Sequence, residues 1–565
     1  MAKQSPLLMS WYLKGENKHD IQSLFIIGIV WFVMVAIVKP IGDFPLNDDW
    51  VYALAVKSVL ESGYFQFPSP SMANAGPQVY WGALFCLPFG FSFTALRIST
   101  LVLGFVGAVA LFTLLRELKV DTKVALVGAL TLAVNPLYFE LSNSFMTDVP
   151  FISMVLVAVN FLVRGLQRDS SLHLGIGLGI TFLAILIRQF SLVVLLGFAL
   201  AYPIKKGFTF ANFAKVIGLV LVGALVHILY QYWLIHSGRT PAIDLHTVPD
   251  IYPPTLLNSA KKATVALIYI GFFVLPFVTV FLSTKIQGIR NTKFKYVWFG
   301  LVTCTVILLG FLWATNQKLP LIGNVLMDSG LGPLTIRDTY NLKLNLPIIP
   351  EGAAILWGVM TFLSVLAVGV SIYLIGRATY QAWCNFNLKE SRAYTASYAL
   401  LAVMALSYLA ILLLFVARYT LFDRYFLLFL PLVILLISTL FKDQSIQRGK
   451  NVIPIILLVI YGVFSVGATH DFLEWNRTRW VALNDLVQSD KVSPRKIDGG
   501  YEFNGWFLYD AKYKQSPKKS WWWVDDDEYV LAAGPLPGYT EVKRYPVNRW
   551  LKLTASDIIV LRRTP

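Results

Sequence analysis

Apolar runs of about 20 residues recur along most of this 565-residue chain and limit its fold more than any other feature. Inside a bilayer every backbone N–H and C=O group must be bonded within the protein, so each run predicts a membrane-spanning helix. Only 14% of the residues are charged, well below the fraction in soluble domains. The predicted segments are 22–40, 95–115, 124–138, 149–163, 174–187, 191–204, 212–236, 263–284, 296–315, 352–376, 395–417, 425–441 and 452–469.

The basic residues follow the positive-inside rule if the N-terminus is cytoplasmic. The short connections that then face the cytoplasm carry about twice as many Lys and Arg residues as the longer ones opposite. This distribution explains the formal net charge of +16 without a nucleic-acid partner, since the cations lie between spans and not on one polar face. The first run lacks a small-residue cleavage site, which predicts an uncleaved span.

The same orientation places the long loops and the C-terminal tail outside. The tail contains the stretches "EYVLAAGPL", "EVKRYPV" and "DIIVLRR", which have the composition of short strands separated by Gly and Pro turns. We therefore predict an all-α polytopic membrane protein of about 13 transmembrane helices with a small α/β extracytoplasmic C-terminal domain. The transmembrane domain covers 1–469, including external juxtamembrane helices at about 47–80, and the C-terminal domain covers 470–565.

Asp48 and Asp49 stand side by side where the chain leaves the first span. The following stretch has apolar residues at helical spacing and ends at Gly63, so both acids lie at the N-terminus of a predicted external helix. Capping of that helix is one interpretation. A catalytic role is the other, because Asn47 is also a suitable cap and successive helical side chains point about 100° apart.

Asp148 occupies a similar position, at the mouth of the fourth predicted span and just before Pro150. Capping by Thr147-Asp148 is again one interpretation. If the first and fourth spans are neighbours, Asp148 approaches Asp48, and two carboxylates in one pocket suit a proton acceptor.

Several basic residues lie at the external ends of spans or in an external loop. Arg188 and Arg424 are close to the predicted bilayer surface, while Lys318 and Arg337 belong to the loop 316–351. Snorkelling, or for Arg188 pairing with Asp423, is one explanation. Binding of a lipid-linked phosphate is the other, because guanidinium donates to phosphate bidentately and stays charged.

The remaining motifs give less specific signals. The aromatic residues between Tyr80 and Phe93 fit an interfacial belt or a groove for a prenyl chain or a sugar. The histidines and the three cysteines show no metal-ligand spacing, so no cofactor is predicted, although a divalent metal held by the clustered acids stays open. Two stretches of the tail, "THDFLEWNRTRW" and "IDGGYEFNGW", are distinctive but have no assigned role.

Taken in order, the motifs resemble those of the GT-C glycosyltransferases. The resemblance is nearest to the bacterial branch that includes protein O-mannosyltransferases and lipid A aminoarabinose transferases, and it extends over most of residues 20–470. The stretches that carry it are "DDWVYA" (48–53), "PQVYWGALF" (77–85), "TDVPF" (147–151) and "DRYFLLFLP" (423–431).

The resemblance implies an enzyme of the bacterial inner membrane. It would transfer a sugar from a polyprenyl-phosphate donor, such as undecaprenyl phosphate, to a hydroxyl of a lipid, glycan or protein acceptor at the periplasmic face, with inversion. Asp48 maps onto the catalytic base, Asp49 stands where Glu is usual, and Asp148 supports the site. Tyr52 and Gln78 lie in the matched motifs and are expected at the substrate site.

Two departures bear on the substrate. Val51 stands where the aminoarabinose transferases have Arg, and Ala75-Gly76-Pro77 stands where they have Lys-Pro-Pro. Arg188, Arg424 or Lys318 would then take the place of the missing lysine at the donor phosphate. The alternative functions are a transporter or flippase, or a polymerase, of lipid-linked saccharides. Against a transporter, the acids lie at the edge of the spans and not at their middle.

Overall fold

The structure is a computed structural model that describes residues 17–68, 73–240, 253–283, 292–384, 386, 391–414, 421–441, 452–514, 522–551 and 557–564. In these ranges the chain is mostly helical. The α-helices are α1 (Asn17–Val38), α2 (Asp49–Ser62), α3 (Gly76–Cys86), α4 (Phe93–Glu117), α5 (Thr122–Ala133), α6 (Pro136–Ser142), α7 (Asp148–Arg168), α8 (Ser171–Ile185), α9 (Leu192–Lys206), α10 (Phe210–His236), α11 (Pro253–Val278), α12 (Thr292–Ala314), α13 (Glu351–Cys384), α14 (Arg392–Leu414), α15 (Phe429–Ser438), α16 (Val452–Asn484) and α17 (Tyr501–Leu508).

Twelve of the thirteen predicted apolar segments each overlap one α-helix of the described chain, and the remaining segment, 124–138, is divided between α5 and α6. Within the described residues, nine helices are long and apolar enough to cross a membrane, or ten if the bent pair α5–α6 forms one span. Helices α8 and α15 and the apolar part of α12 are shorter. The architecture is therefore that of a multi-pass helical membrane protein, and the count of thirteen crossings stays a prediction.

The bend between α5 and α6 measures 60°. Pro136 opens α6, where its missing N–H is not needed, and the Asn135 side chain accepts hydrogen bonds from the N–H groups of Leu137 and Tyr138 at 3.1 Å. A cap of this kind contributes about 1 kcal/mol. The bend leads the chain into the turn 143–147, which precedes α7 and forms one wall of the site described below.

Helix α2 follows the first span and begins within the acidic pair, as predicted. It ends at Gly63, whose φ of 81° favours glycine because side chains rarely adopt that conformation. Trp50 and Ala53 are fully buried. Their helix packs against α3 and α17, so much of its apolar surface is covered by protein.

The tail forms a small sheet on the end of α16. Its strands are β3 (Ile497–Asp498), β4 (Tyr529–Ala532), β5 (Tyr539–Tyr545) and β6 (Ile558–Arg563). A separate hairpin of β1 (Leu326–Met327) and β2 (Gly330–Leu331) lies in the loop 316–351. The order is β3-β4-β6-β5, with β3 parallel to β4 and the other pairs antiparallel. All three predicted strand stretches are confirmed. The predicted boundary at 469/470 lies inside α16, and both the division into two domains and the extracytoplasmic position of the tail stay predictions.

Candidate active site

Asp48 lies at the start of α2 with 41% of its side chain exposed. It occupies the N-cap position, but its carboxylate makes no capping hydrogen bond. Instead Oδ1 accepts a hydrogen bond from the Tyr501 hydroxyl at 2.7 Å, and Oδ2 lies 3.3 Å from Nη2 of Arg424. Asn47, the alternative cap, precedes the N-cap position with φ of 52°. The Asp48 side chain is therefore held by tertiary contacts and not by the end of its own helix.

Asp49 is fully buried, and its carboxylate binds different groups from those that hold Asp48. Its two oxygens accept backbone N–H groups from Leu46, at 2.6 Å, and from Phe145, at 3.2 Å. Burial raises the pKa of Asp49 to about 8, although the nearby Arg97 charge and the two N–H donors act in the opposite direction. Asp49 thus joins the loop before α2 to the turn before α7.

Asp148 opens α7 and is also buried. Arg188 makes a short ion pair with it, with Nη1 3.0 Å from Oδ1, and donates from Nε to the Thr147 hydroxyl at 2.7 Å. Thr147 makes no side-chain cap of α7. Within the described residues Arg188 does not pair with Asp423, whose carboxylate accepts backbone N–H groups of Val325, Leu326 and Arg424 instead.

Arg424 connects the two acids that the sequence places far apart. Its Nη2 lies 3.3 Å from Asp48 and its Nη1 lies 3.9 Å from Oδ2 of Asp148. The guanidinium is buried and lies over the rings of Phe422 and Tyr425. Asp48, Arg424, Asp148 and Arg188 therefore form one continuous charged cluster with Asp48 at its exposed edge.

The other predicted substrate residues divide into two groups. Tyr52 is buried near this cluster with its ring against Phe67, and the Gln78 amide donates to the backbone oxygens of Phe145 and Met146. Gln78 therefore supports the turn before α7.

Lys318 and Arg337 form no ion pair with the acids of this cluster in the described part of the chain. Lys318 is half-buried. Arg337 donates to Asp527 at 2.6 Å and to the Tyr539 hydroxyl at 3.3 Å, so it joins the loop 316–351 to the tail.

Two groups near the acids were not predicted. Tyr501 and Glu502, from the unassigned stretch "IDGGYEFNGW", contact Asp48 and the backbone of Asn47. Burial and the adjoining Asp48 carboxylate raise the pKa of Tyr501 well above its ordinary value, so its hydroxyl stays protonated and donates. The only available signal was the unusual composition of that stretch.

Glu140 on α6 is the second unpredicted group. It is 1% exposed, and in the described part of the chain neither of its carboxylate oxygens has a hydrogen-bond partner. Nothing in its local sequence distinguishes it from a surface acid. Within the described ranges no three His, Cys, Asp or Glu side chains are grouped so that they could hold a metal ion.

Residues 75–233 match the family described as dolichyl-phosphate-mannose-protein mannosyltransferase. The match includes α7 and the predicted "PQVYWGALF" and "TDVPF" motifs, and it confirms the predicted resemblance to GT-C membrane glycosyltransferases of this type. No curated protein matches the chain.

Similarity to solved structures is low in identity and in TM-score. The oligosaccharyltransferase of Archaeoglobus fulgidus, tethered with an acceptor peptide containing the NVT sequon, is 12% identical with a TM-score of 0.42. The alignment covers 85% of this chain and 59% of that one, so this chain spans about three fifths of its length. ArnT from Cupriavidus metallidurans aligns in its apo state with 14% identity, a TM-score of 0.36 and coverage of 87% and 84%. Its form bound to undecaprenyl phosphate aligns with 12% identity, a TM-score of 0.39 and coverage of 97% and 98%.

Proposed function

We propose that this protein is a membrane glycosyltransferase that transfers a sugar from a polyprenyl-phosphate donor to an acceptor hydroxyl. The observation that carries the proposal is the cluster of Asp48, Arg424, Asp148 and Arg188, which brings a half-exposed carboxylate and two guanidinium groups together. The description of the family matched over residues 75–233 names a sugar carried on dolichyl phosphate, which is a donor of this class.

In this proposal Asp48 is the general base. It is the most exposed of the three acids, and its position at the start of α2 lets an acceptor hydroxyl approach it from solvent. The acceptor oxygen attacks the anomeric carbon of the sugar while its proton passes to Asp48. The bond from that carbon to the phosphate oxygen breaks, and the electron pair leaves with the polyprenyl phosphate. A single displacement of this kind inverts the anomeric centre.

The arginines serve the leaving group. Arg424 lies 3.3 Å from Asp48 and 3.9 Å from Asp148. Both distances are longer than those of charge-assisted hydrogen bonds, which are about 2.7–2.9 Å. A phosphate can therefore compete with these acids for the N–H groups of Arg424. Arg188 is held more firmly, by Asp148 and Thr147. Negative charge that develops on the departing phosphate is stabilised by these fixed cations. Asp148 orients both of them.

The remaining features of the proposal concern orientation in the membrane. The N-terminus is cytoplasmic, the acid cluster and the tail face the periplasm, and the protein resides in the bacterial inner membrane. The short connections that would then face the cytoplasm carry the excess of Lys and Arg, which supports this orientation.

The test uses membrane vesicles that contain the full-length protein and are supplied with radiolabelled polyprenyl-phosphate sugars. We expect Asp48→Asn to reduce transfer of label to acceptor by about a hundredfold or more, the usual contribution of a positioned base. Asp43→Asn is the matched control, since Asp43 is in the same loop but its carboxylate accepts the backbone N–H of Phe93, at 2.8 Å, and belongs to no ion pair of the acid cluster in the described residues. Full transfer by normally expressed Asp48→Asn protein would rule out Asp48 as the base.

A further inference from the structure

The tail stretch "IDGGYEFNGW" folds into a rigid turn that leads into α17. The Asp498 carboxylate accepts hydrogen bonds from the N–H of Gly500 at 3.3 Å and from the Asn504 amide at 2.9 Å. The Asn504 side-chain oxygen accepts the N–H of Gly499 at 3.0 Å. Gly500 has φ of 88°, and a Cβ atom there would lie 2.3 Å from the carbonyl oxygen of Thr335. The start of α17 is thus fixed by its own side chains and by close packing.

This turn presents Tyr501 to Asp48. The hydroxyl donates to Oδ1 at 2.7 Å, whereas the other oxygen of Asp48 faces Arg424. The Tyr501 ring packs against Trp50 and Trp522, with centroid distances of 6.2 and 5.5 Å. Both oxygens of Asp48 therefore have a directed partner, and the plane of the carboxylate is set by two groups that lie 376 and 453 residues further along the chain.

Glu502 ties the same helix to the loop before Asp48. Its carboxylate accepts the backbone N–H of Asn47 at 3.2 Å, the Thr335 hydroxyl at 2.6 Å and Nη1 of Arg479 at 2.8 Å. Glu502 and Arg479 are almost completely buried. The first two residues of α17 consequently contact two successive residues of the acidic loop.

We propose that the C-terminal segment completes the active site and that Tyr501 is a positioning residue, which orients the Asp48 carboxylate for proton acceptance. This inference rests on the function proposed above. The charged and titratable groups that also surround Asp48 are on several elements, namely Arg424 on the turn 423–426, Tyr340 on the turn 337–341 and, across Arg424, Asp148. Its sequence neighbour Asp49 and the adjoining Glu502 instead bind backbone N–H groups, those of Leu46 and Phe145 for Asp49 and that of Asn47 for Glu502.

The test compares Tyr501→Phe with wild type in the full-length protein. The variant keeps the ring and removes one hydrogen bond to a charged acceptor. We expect kcat to fall roughly tenfold to a hundredfold while KM for the donor stays within about twofold. Because a donor to the ionised carboxylate is lost, the acid limb of the kcat–pH profile should move upward by about one pH unit.

Tyr545→Phe is the matched control. Its hydroxyl donates to Asp485 at 2.7 Å, so the substitution removes the same kind of bond from the tail at a distance from the acid cluster. We expect the control to keep the wild-type kcat and pH profile. Thermal melting of both variants in detergent shows whether either substitution disturbs the fold.

The possible results separate the two proposals. If wild type is active and Asp48→Asn is not, but Tyr501→Phe matches Tyr545→Phe in kcat and pH profile, the positioning role is wrong and the proposed function stands. If Tyr501→Phe lowers thermal stability but its kcat and pH profile stay unchanged, Tyr501 is only structural, which also overturns the inference. If wild type transfers no sugar from any polyprenyl-phosphate donor, both proposals fail.

Discussion

Arg479 and Glu502 form a buried ion pair that joins α16 to α17. The Arg479 side chain is 0% exposed and that of Glu502 is 1% exposed, with 2.8 Å between Nη1 and Oε2. Arg479 also donates from Nε and Nη2 to the carbonyl oxygen of Gly499, at 3.0 and 2.7 Å. Replacing Arg479 by Met removes all of these bonds while preserving much of the side-chain volume.

The expected loss of stability depends on the groups that remain around the Glu502 carboxylate. In Arg479→Met the Glu502 carboxylate stays buried with only the neutral donors of Thr335 and Asn47. Leaving one charge of a buried pair without its partner typically costs about 3–5 kcal/mol. That cost should appear locally, because the ion pair anchors the start of α17.

Hydrogen–deuterium exchange of the detergent-solubilised protein measures this local stability. Protection of the amides in 497–508 should fall by roughly a hundredfold to a few thousandfold in Arg479→Met. Lys543→Met is the control, since it removes a solvent-exposed pair with Asp485 and should leave this segment unchanged. Adding Glu502→Gln to Arg479→Met should restore part of the protection, because a neutral amide replaces the unpaired charge. Equal protection in the Arg479 and Lys543 variants would refute the reasoning.

Asp49→Asn should flatten the dependence of thermal stability on pH. Burial holds the pKa of Asp49 at about 8 in the folded protein, above the ordinary value of 3.8 that applies when the chain is unfolded. Wild type should therefore lose stability as pH rises between these two values, and the variant should not. If the melting temperatures of wild type and of Asp49→Asn changed in the same way between pH 4 and 8, this prediction would be wrong. Gly500→Ala should lower the free energy of unfolding by about 1–3 kcal/mol more than Gly538→Ala, because both glycines have positive φ but only Gly500 has a backbone oxygen where the Cβ would lie. Equal melting temperatures for the two would argue against that contact. Arg424→Lys keeps the charge but loses the fork that reaches two acids, and we expect kcat for sugar transfer to fall by roughly tenfold to a hundredfold. An unchanged kcat would remove Arg424 from the proposed donor site.

Local patterns in the sequence were sufficient for much of the fold. The apolar runs located the helices because burial of backbone polar groups in a bilayer requires them, and Gly63 marked the end of α2 because its conformation favours glycine. Strand-like composition between Gly and Pro turns located β4, β5 and β6. The number of crossings was harder to derive, since a run such as that of α8 is apolar but short, and the α5–α6 run is bent at Asn135-Pro136.

The sequence predicted only part of the candidate site. The positions of Asp48 and Asp148 at helix starts were predictable from caps and hydropathy, and their resemblance to family motifs suggested a common site. The partners of these acids were not predictable in the same way. The sequence made both Arg337 and Arg424 candidates for binding a lipid-linked phosphate, yet Arg337 binds Asp527 in the tail.

The sequence by itself determined where the chain is helical, which acids lie at the ends of spans and the family that its motifs resemble, because these depend on neighbours within a few residues. Only the tertiary structure decided that Arg424 lies between Asp48 and Asp148, that Asp49 is turned away into the protein, and that Tyr501 reaches Asp48. The tertiary contacts behind these arrangements join residues 96 positions apart for Asp49 and Phe145, 376 for Asp48 and Arg424, and 453 for Asp48 and Tyr501. Their formation depends on how whole helices pack, and no local periodicity encodes that packing.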